Sequence, residues 1–258
     1  MTTLPHENVP MRIVIATICW GVLVAVAGGA VAADTAVVES TSRTPRNPAL
    51  VAVEDVPGLP RVLLIGDSIS VGYTLPTRKL LAGIANVHRI PANGGPTTRG
   101  LDQLERWLGE SKWDVIHFNF GLHDLKHANE RGKLVDVDRG PRQVTLDAYR
   151  ENLRRIVTRL KRTGARLIWC TTTPIPQGAK GRVPGDELEY NKVAAEVMRE
   201  EGIEVNDLHA FAAARLPEIG KPADVHFTPE GSEALATQVA RRIEAALRDC
   251  APPPNSAD

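Results

Sequence analysis

The sequence predicts an α/β fold in which a parallel sheet is covered by helices on both faces. Five short apolar runs are separated by longer segments with helical periodicity, as in a succession of strand-helix units. Runs such as "RVLLI" and "RLIWC" are continuously apolar, which is typical of strands buried on both faces. The chain has 258 residues, 43% of them hydrophobic, which is enough for one large domain of this class.

Strands and helices are predicted alternately from residue 61 onwards. The strand candidates are the apolar runs 61–66, 86–90, 113–120, 166–172 and 203–206. The helix candidates, which have helical periodicity, are 74–84, 99–109, 145–163, 186–201 and 229–248. Trp107 and Trp113 flank strand ends and are predicted to pack in the core or at its edge. The charged connection 126–144 either borders a substrate site or is a solvated loop.

Residues 1–33 are predicted to be a signal peptide. No charged residue occurs between Arg12 and Asp34, and Ala30-Val31-Ala32 has the small-x-small pattern of a cleavage site. The alternative is an uncleaved membrane anchor, because about 20 apolar residues can span a bilayer. In either case the folded part is expected to be exported, and it meets a membrane only if the segment stays attached.

The remaining organisation is a linker over 34–59, a folded domain over 60–249 and a disordered tail over 250–258. Lys plus Arg and Asp plus Glu balance at 31 each, so no nucleic-acid partner is indicated. The chain is expected to be a monomer. No Cys/His cluster has metal-ligand spacing, and neither a metal nor an organic cofactor is predicted. Nothing fixes a disulfide between Cys170 and Cys250.

Chemistry is expected beyond the carboxyl ends of the strands, where ligands gather in parallel sheets. Gly66-Asp67-Ser68 follows the first strand, so the Ser68 hydroxyl is a candidate nucleophile at the positive end of a helix. The alternative is that Ser68 is the N-cap of that helix. Asn93 to Gly100, "NGGPTTRG", follows the second strand and offers free N–H groups, or else it is a glycine turn in which Thr97 or Thr98 caps the next helix.

Two histidines complete the polar set. His123 and Asp124 follow the third strand, and a histidine there can donate a hydrogen bond to an oxyanion. The alternative is a surface histidine with Asp124 as a helix cap. His226 precedes a helix that Thr228-Pro229 is expected to start, and Asp224 is placed to accept the other ring N–H. Nucleophile, oxyanion donors and a His–Asp pair are the groups that acyl transfer needs.

These segments resemble the blocks of the SGNH/GDSL hydrolases from Arg61 to Leu247. "GDSIS" resembles the nucleophile block, "GGPTTRG" the second block and "GLHD" the third, while "DVHFTPEG" resembles the fifth. The resemblance implies a flavodoxin-like three-layer α/β/α sandwich with a five-stranded parallel sheet, and hydrolysis or transfer of ester-linked acyl groups. It implies Ser68 as nucleophile and first oxyanion donor, Gly95 as second donor and His226 as base.

The chain departs from the family pattern at two positions. His123 stands where the third block usually has Asn, so His123 is expected to be the third oxyanion donor, with Asn119 as the rival. The Asp-x-x-His position of the fifth block is Ala223, so the predicted triad uses Asp224 at tighter spacing. The alternative is a Ser–His dyad oriented by a backbone carbonyl.

Four further residues at the strand ends are expected to support the site, namely Asp67, Asn93, Asn119 and Asp124. The expected activity is removal of short acyl groups, acetyl above all, from a small-molecule or polysaccharide ester. Two alternatives stay open at this point. An O-acyltransferase would use the same residues, and an inactive glycan-binding module of the same fold would explain the departures from the family pattern.

Overall fold

A computed structural model describes residues 47–250, with side chains to residue 249. The predicted signal peptide and the last eight residues of the tail, 251–258, lie outside the described residues. The five strands, all parallel, are β1 (Arg61–Ile65), β2 (Asn86–Arg89), β3 (Val115–Phe118), β4 (Arg166–Cys170) and β5 (Glu204–Asn206). Their order in the sheet is β2-β1-β3-β4-β5, so β1 and β3 lie inside the sheet.

Helices cover both faces of the sheet, as the sequence predicts. The α-helices are α1 (Ser68–Leu80), α2 (Thr97–Leu108), α3 (Leu146–Lys161), α4 (Asp186–Glu201), α5 (Leu208–Ala213), α6 (Leu216–Ile219) and α7 (Pro229–Cys250). One layer is built around α1 packed on α7, and the other around α3, which packs against both α2 and α4. The prediction of a flavodoxin-like α/β/α sandwich with five parallel strands is therefore confirmed.

The core lies on the two faces of the central strands. Every residue of β3 is buried, including a histidine, because helices cover the strand on both sides. Trp107 and Trp113 are also buried, at 7% and 6% exposure, and the indole N–H of Trp113 donates to the Leu108 carbonyl. Both tryptophans therefore pack in the core, as predicted.

The first helix differs most from its prediction, since it begins at Ser68 instead of residue 74. Gly72 and Pro76 interrupt the helical pattern of the sequence, but packing compensates for both. Tyr73 is buried at 2% exposure, and the Thr77 hydroxyl donates to the Tyr73 carbonyl over 2.7 Å. An additional short helix pair, α5 and α6, was missed because neither helix is long enough to show a period.

Two predicted loops are more ordered than their sequences indicate. Residues 47–59, the end of the predicted linker, are tied to the domain through Asn86, whose side chain accepts from the Val56 N–H at 2.8 Å and donates to its carbonyl at 3.0 Å. The connection 126–144 folds back on itself through isolated bridges, and the His127 N–H donates to the Gly181 carbonyl over 2.8 Å. Within residues 47–250, no helix is long and apolar enough to cross a membrane.

Candidate active site

The turn after β1 places Ser68 at the first position of α1. Asp67, in an extended conformation, is the N-cap, and its Oδ1 accepts the Ile69 N–H over 2.9 Å. The alternative in which Ser68 caps the helix is therefore wrong, because the cap is its neighbour. The Ser68 hydroxyl remains available, and among the described residues no acceptor is bonded to its N–H.

Ser68, His226 and Asp224 form one chain of hydrogen bonds. The Ser68 Oγ lies 2.8 Å from His226 Nε2, and His226 Nδ1 lies 2.6 Å from Asp224 Oδ1. The side chains of His226 and Asp224 are 42% and 47% exposed, so the chain opens to solvent. The structure thus brings together three residues from opposite ends of the domain.

Asp224 determines the tautomer of His226. Its Oδ1 also accepts the backbone N–H of His226 over 3.0 Å. Burial by itself would raise the pKa of Asp224, but the backbone and ring hydrogen bonds from His226 outweigh it and lower that pKa. Because an ionised carboxylate only accepts, the ring proton sits on Nδ1 and Nε2 is free to accept from the Ser68 hydroxyl.

The spacing of the Asp–His pair has a backbone origin at Ala223. Ala223 has φ +53°, the left-handed conformation that L-residues adopt at a cost. It lies in a turn that the Asp224 N–H closes by donating to the Lys221 carbonyl over 3.3 Å. The Ala223 Cβ lies against Gly178, 3.0 Å from the point that a Gly178 Cβ would occupy. The position where the family has its acid therefore faces Gly178, and the next residue reaches His226.

The glycine loop after β2 lies beside the Ser68 turn. The Gly94 N–H donates to the Gly66 carbonyl over 2.9 Å, two residues before Ser68. The Gly95 N–H donates to Asn93 Oδ1 over 2.9 Å, so it is engaged inside its own loop. Gly95 has φ +66°, and a Cβ there would stand 2.9 Å from the Arg99 Cδ. The left-handed conformation favours glycine at this position, and a side chain there would also have to displace that of Arg99.

Asp124 joins the loop after β3 to the start of α2. The carboxylate is fully buried, and its Oδ1 accepts from the Thr97 N–H at 2.8 Å and from the Thr97 hydroxyl at 2.5 Å. The alternative in which Thr97 or Thr98 caps this helix is wrong, since Pro96 is the N-cap and Asp124 accepts the first N–H. Burial raises the pKa of Asp124 to about 7, although the Thr97 hydrogen bonds oppose the shift.

His123 lies half-buried next to Asp124, and its ring has no hydrogen bond among the described residues. Burial lowers the pKa of His123, and the cations Lys126 and Arg182 act in the same direction while Asp67 opposes them. The rival donor Asn119 is committed elsewhere, because its amide N–H donates to the Cys170 carbonyl over 2.7 Å. His123 is therefore the free side chain of the two.

One residue of the site was missed by the sequence prediction. Arg89, the last residue of β2, is buried, and its Nη2 donates to the carbonyls of Gly66 and Asp67 at 2.8 and 2.9 Å. Its Nη1 donates to the carbonyl of Ala92 at 2.6 Å. Burial lowers the pKa of Arg89 to about 10, which leaves it charged at neutral pH. The guanidinium thus ties the serine turn to the glycine loop. The available signal was an arginine inside a segment predicted to be a strand of the sheet.

Thr228 starts α7 as predicted, with its hydroxyl accepting the Gly231 N–H over 3.0 Å and Pro229 at the first helical position. This fixes the backbone that follows His226. Among the residues that the structure describes, no three His, Cys, Asp or Glu side chains are grouped so that they could hold a metal ion. Cys170 is a free, buried thiol whose pKa is raised by burial.

The fold and the strand-end residues together define the class of SGNH-type α/β hydrolases. A model of the GDSL-like lipase/acylhydrolase family matches residues 64–234. The match covers more than half of the chain, and the chain belongs to this family and is a carboxylic ester hydrolase. The variant third and fifth blocks are not tested by this match and stay predictions. A comparison with curated proteins gave no match.

Solved structures of similar fold come from bacterial esterases. The lipase/acylhydrolase from Enterococcus faecalis is 23% identical with a TM-score of 0.61, over 72% of this chain and 96% of that one. An acetylxylan esterase from Geobacillus stearothermophilus is 19% identical with a TM-score of 0.58, over 71% and 94%. A second acetyl xylan esterase is 15% identical with a TM-score of 0.59, over 71% and 99%. At these identities the likeness concerns the fold.

Proposed function

We propose that this chain is an exported serine esterase that removes short acyl groups, acetyl above all, from carbohydrates. The observation that carries the proposal is the hydrogen-bonded chain from Asp224 through His226 to the Ser68 hydroxyl. These are the three groups that nucleophilic acyl transfer needs, in the order in which it needs them.

In the proposed reaction, His226 Nε2 takes the hydroxyl proton as Ser68 Oγ attacks the ester carbonyl carbon. Asp224 holds the Nδ1 proton and stabilises the imidazolium that forms. The imidazolium then gives its Nε2 proton to the departing alcohol, which leaves an acyl-serine. Water attacks the acyl-serine with His226 again as base, and Ser68 regains its proton as the carboxylic acid leaves. Every proton that moves passes through Nε2, within 2.8 Å of the serine oxygen.

The oxyanion of the intermediate needs hydrogen-bond donors, and the three proposed donors differ in how free their N–H groups are to bind it. The Ser68 N–H stands at the start of α1, where the helix dipole favours negative charge. The Gly95 N–H must be shared with, or released by, Asn93 Oδ1. His123 can donate from one ring nitrogen when it is neutral, and a lowered pKa favours that form at neutral pH.

A small cavity lies beside the turn that carries Ser68, although neither Ser68 nor His226 lines it. This cavity of about 10 Å³ has Asp67, Ile69, Asn119 and Leu122 in its lining. Such a volume holds at most about one water molecule, so the proposal of a short acyl group rests on the solved structures of similar fold. The two acetylxylan esterases of similar fold support the same substrate class and a carbohydrate alcohol. Export is supported by the apolar segment between Arg12 and Asp34.

The first experiment treats the domain with a fluorophosphonate probe and locates the adduct by mass spectrometry. The proposal expects labelling at Ser68, and Ser68→Ala is the matched control that should not label. If the folded domain is not labelled by the probe, the esterase mechanism is contradicted and a binding module is favoured. Release of acetate is then compared with release of butyrate and octanoate from 4-nitrophenyl esters, where acetate should be fastest. Adding an acceptor sugar and finding acyl sugar in place of free acid would identify a transferase.

A further inference from the structure

A half-buried arginine beside the candidate site has no carboxylate partner among residues 47–249. Arg182, in the connection between β4 and α4, donates from Nε to the Leu122 carbonyl over 3.1 Å and from Nη1 to the Lys180 carbonyl over 3.4 Å. Leu122 immediately precedes His123, so the guanidinium lies at the edge of the proposed oxyanion site. Its Nη2 has no hydrogen-bond partner in the described part of the chain.

Two further cations lie near the candidate site, Lys126 close to Arg182 and Arg99 against Gly95. Lys126 donates from Nζ to the Gly132 carbonyl over 3.2 Å, and the aliphatic stem of Arg99 lies against Gly95. Burial lowers the pKa of both Lys126 and Arg182. Repulsion from Arg182 adds to the shift of Lys126, which Asp124 opposes, and Asp67 and Asp224 oppose the shift of Arg182. Arg99, Lys126 and Arg182 are here called the cationic rim. Within the described residues, none of the three forms an ion pair.

Other arginines of the described residues also lack ion pairs, Arg106, Arg131 and Arg155 among them, but those three are exposed and Arg182 is half-buried. The chain carries equal numbers of acidic and basic residues, 31 of each. Elsewhere on the surface, arginines meet carboxylates directly: Arg142 with Asp186 at 2.7 Å, Arg150 with Glu196 at 2.6 Å and Arg154 with Glu200 at 2.8 Å. The nearby acids Asp67 and Asp224 are already engaged, the first as a helix cap and the second by His226.

A partly desolvated guanidinium that only touches carbonyls is unfavourable compared with one that meets an anion. Its planar fork suits a carboxylate or sulfate, and neighbouring cations raise the local potential further. We propose that the substrate carries an anionic group, carboxylate or sulfate, which Arg182 binds at the cationic rim. Because the proposed acyl group is short, the anion lies on the alcohol part of the ester, as in an acetylated acidic sugar. This inference rests on the proposed esterase function.

Binding to the Ser68→Ala domain tests the inference without turnover. Methyl 2-O-acetyl-glucuronoside and methyl 2-O-acetyl-glucoside differ in the carboxylate at C6, and calorimetry gives the affinity of each. We expect the uronate to bind at least about tenfold more tightly, since a hydrogen bond to a charged group is worth about that factor. The 6-sulfated glucoside distinguishes a carboxylate site from a general anion site. Equal affinity for the uronate and the neutral glucoside would overturn the inference.

Adding Arg182→Gln to the Ser68→Ala domain should remove the preference and leave the affinity for the neutral glucoside within about twofold. Adding Arg182→Lys keeps the charge and should retain part of the preference. Lys112 is exposed and lies before β3, at the amino ends of the strands and so on the side of the sheet away from the candidate site. Lys112→Gln removes one charge there and should change neither affinity. A uronate preference that survives Arg182→Gln would reject Arg182 as the anion site. If Arg182→Gln fails to fold, loss of the preference in 0.5 M salt decides the question for the Ser68→Ala protein.

Turnover by the unmodified domain separates the two proposals. Hydrolysis of both glycosides at the same rate would leave the esterase function standing and reject the anion site. No hydrolysis of either, together with tight binding of the uronate to Ser68→Ala, would reject the esterase function and keep the anion site. Faster hydrolysis of the uronate, lost in Arg182→Gln, is the expected result.

Discussion

Asp224 Oδ1 accepts two hydrogen bonds from one residue, the Nδ1–H and the backbone N–H of His226. The same oxygen therefore fixes both the ring and the backbone of the residue that contacts Ser68. These two hydrogen bonds let Asp224 orient His226 at the Asp-x-His spacing of this chain, where the family pattern has Asp-x-x-His.

Replacing Asp224 by Asn should reduce kcat/KM by about 10²–10⁴, because an amide can present a donor to Nδ1 and favour the wrong tautomer. KM should change much less than kcat, since the interaction matters as the imidazolium forms. Steady-state kinetics on 4-nitrophenyl acetate measures both. A loss below threefold would favour the Ser–His dyad, in which no carboxylate is needed.

The matched variant moves the carboxylate to the position that the family uses, as Ala223→Asp with Asp224→Ala. Because the Ala223 Cβ lies against Gly178, this double variant should stay as impaired as Asp224→Ala alone. Recovery of activity would show that the loop can reposition the acid and that the spacing is not set by the backbone.

Ala223 should be replaceable by glycine without loss of activity. Its φ of +53° costs an L-residue about 1–2 kcal/mol, whereas glycine adopts it freely but loses about 0.5–1 kcal/mol more entropy on folding. The free energy of unfolding should therefore rise by up to about 1 kcal/mol, and Tm by about 2–4 °C. Ala223→Val should lower Tm because a β-branched residue tolerates this conformation worse. A lower Tm for Ala223→Gly would contradict strain at this residue.

His123 should contribute to kcat through one ring N–H. His123→Ala should lower kcat by about 10²–10³ with little change in KM, the usual cost of losing one oxyanion donor. His123→Asn should retain most of kcat, because an amide always offers donors. Asn119→Ala is the comparison: it removes the bond to Cys170 and should lower stability by about 1 kcal/mol while kcat falls at most severalfold. The reverse ranking of the two alanine variants would assign the donor to Asn119.

The strand-end rule was enough to predict that Ser68, His226 and Asp224 would meet, because parallel strands bring the loops that follow them to the same end of the sheet. Ser68 and His226 could be found in this way, because Ser68 is the first residue of a helix and His226 lies just before one. The conformation of Ala223, the engagement of Gly95 by Asn93 and the role of Arg89 could not. They depend on dihedral angles and on contacts between loops far apart in sequence, for which single-residue patterns carry no signal. The start of α1 was missed for a related reason, because burial of Tyr73 overrides the local preference of Gly72 and Pro76.

Asp124 gives the fold a pH dependence of known sign. Burial raises its pKa from 3.8 to about 7 in the folded chain, so the folded state binds the proton more tightly than the unfolded state. The contribution to stability is complete below about pH 4 and is lost as the pH rises through 7. Asp124→Asn can still accept both Thr97 hydrogen bonds but does not titrate. Between pH 4 and pH 8, the free energy of unfolding of Asp124→Asn minus that of the parent should increase by up to about 4 kcal/mol. Urea unfolding at several pH values measures this gap, and the exposed Asp138→Asn is the control that should show none. A gap that stays constant with pH would mean that the Asp124 carboxylate is ionised in the folded protein, stabilised by its Thr97 hydrogen bonds despite burial.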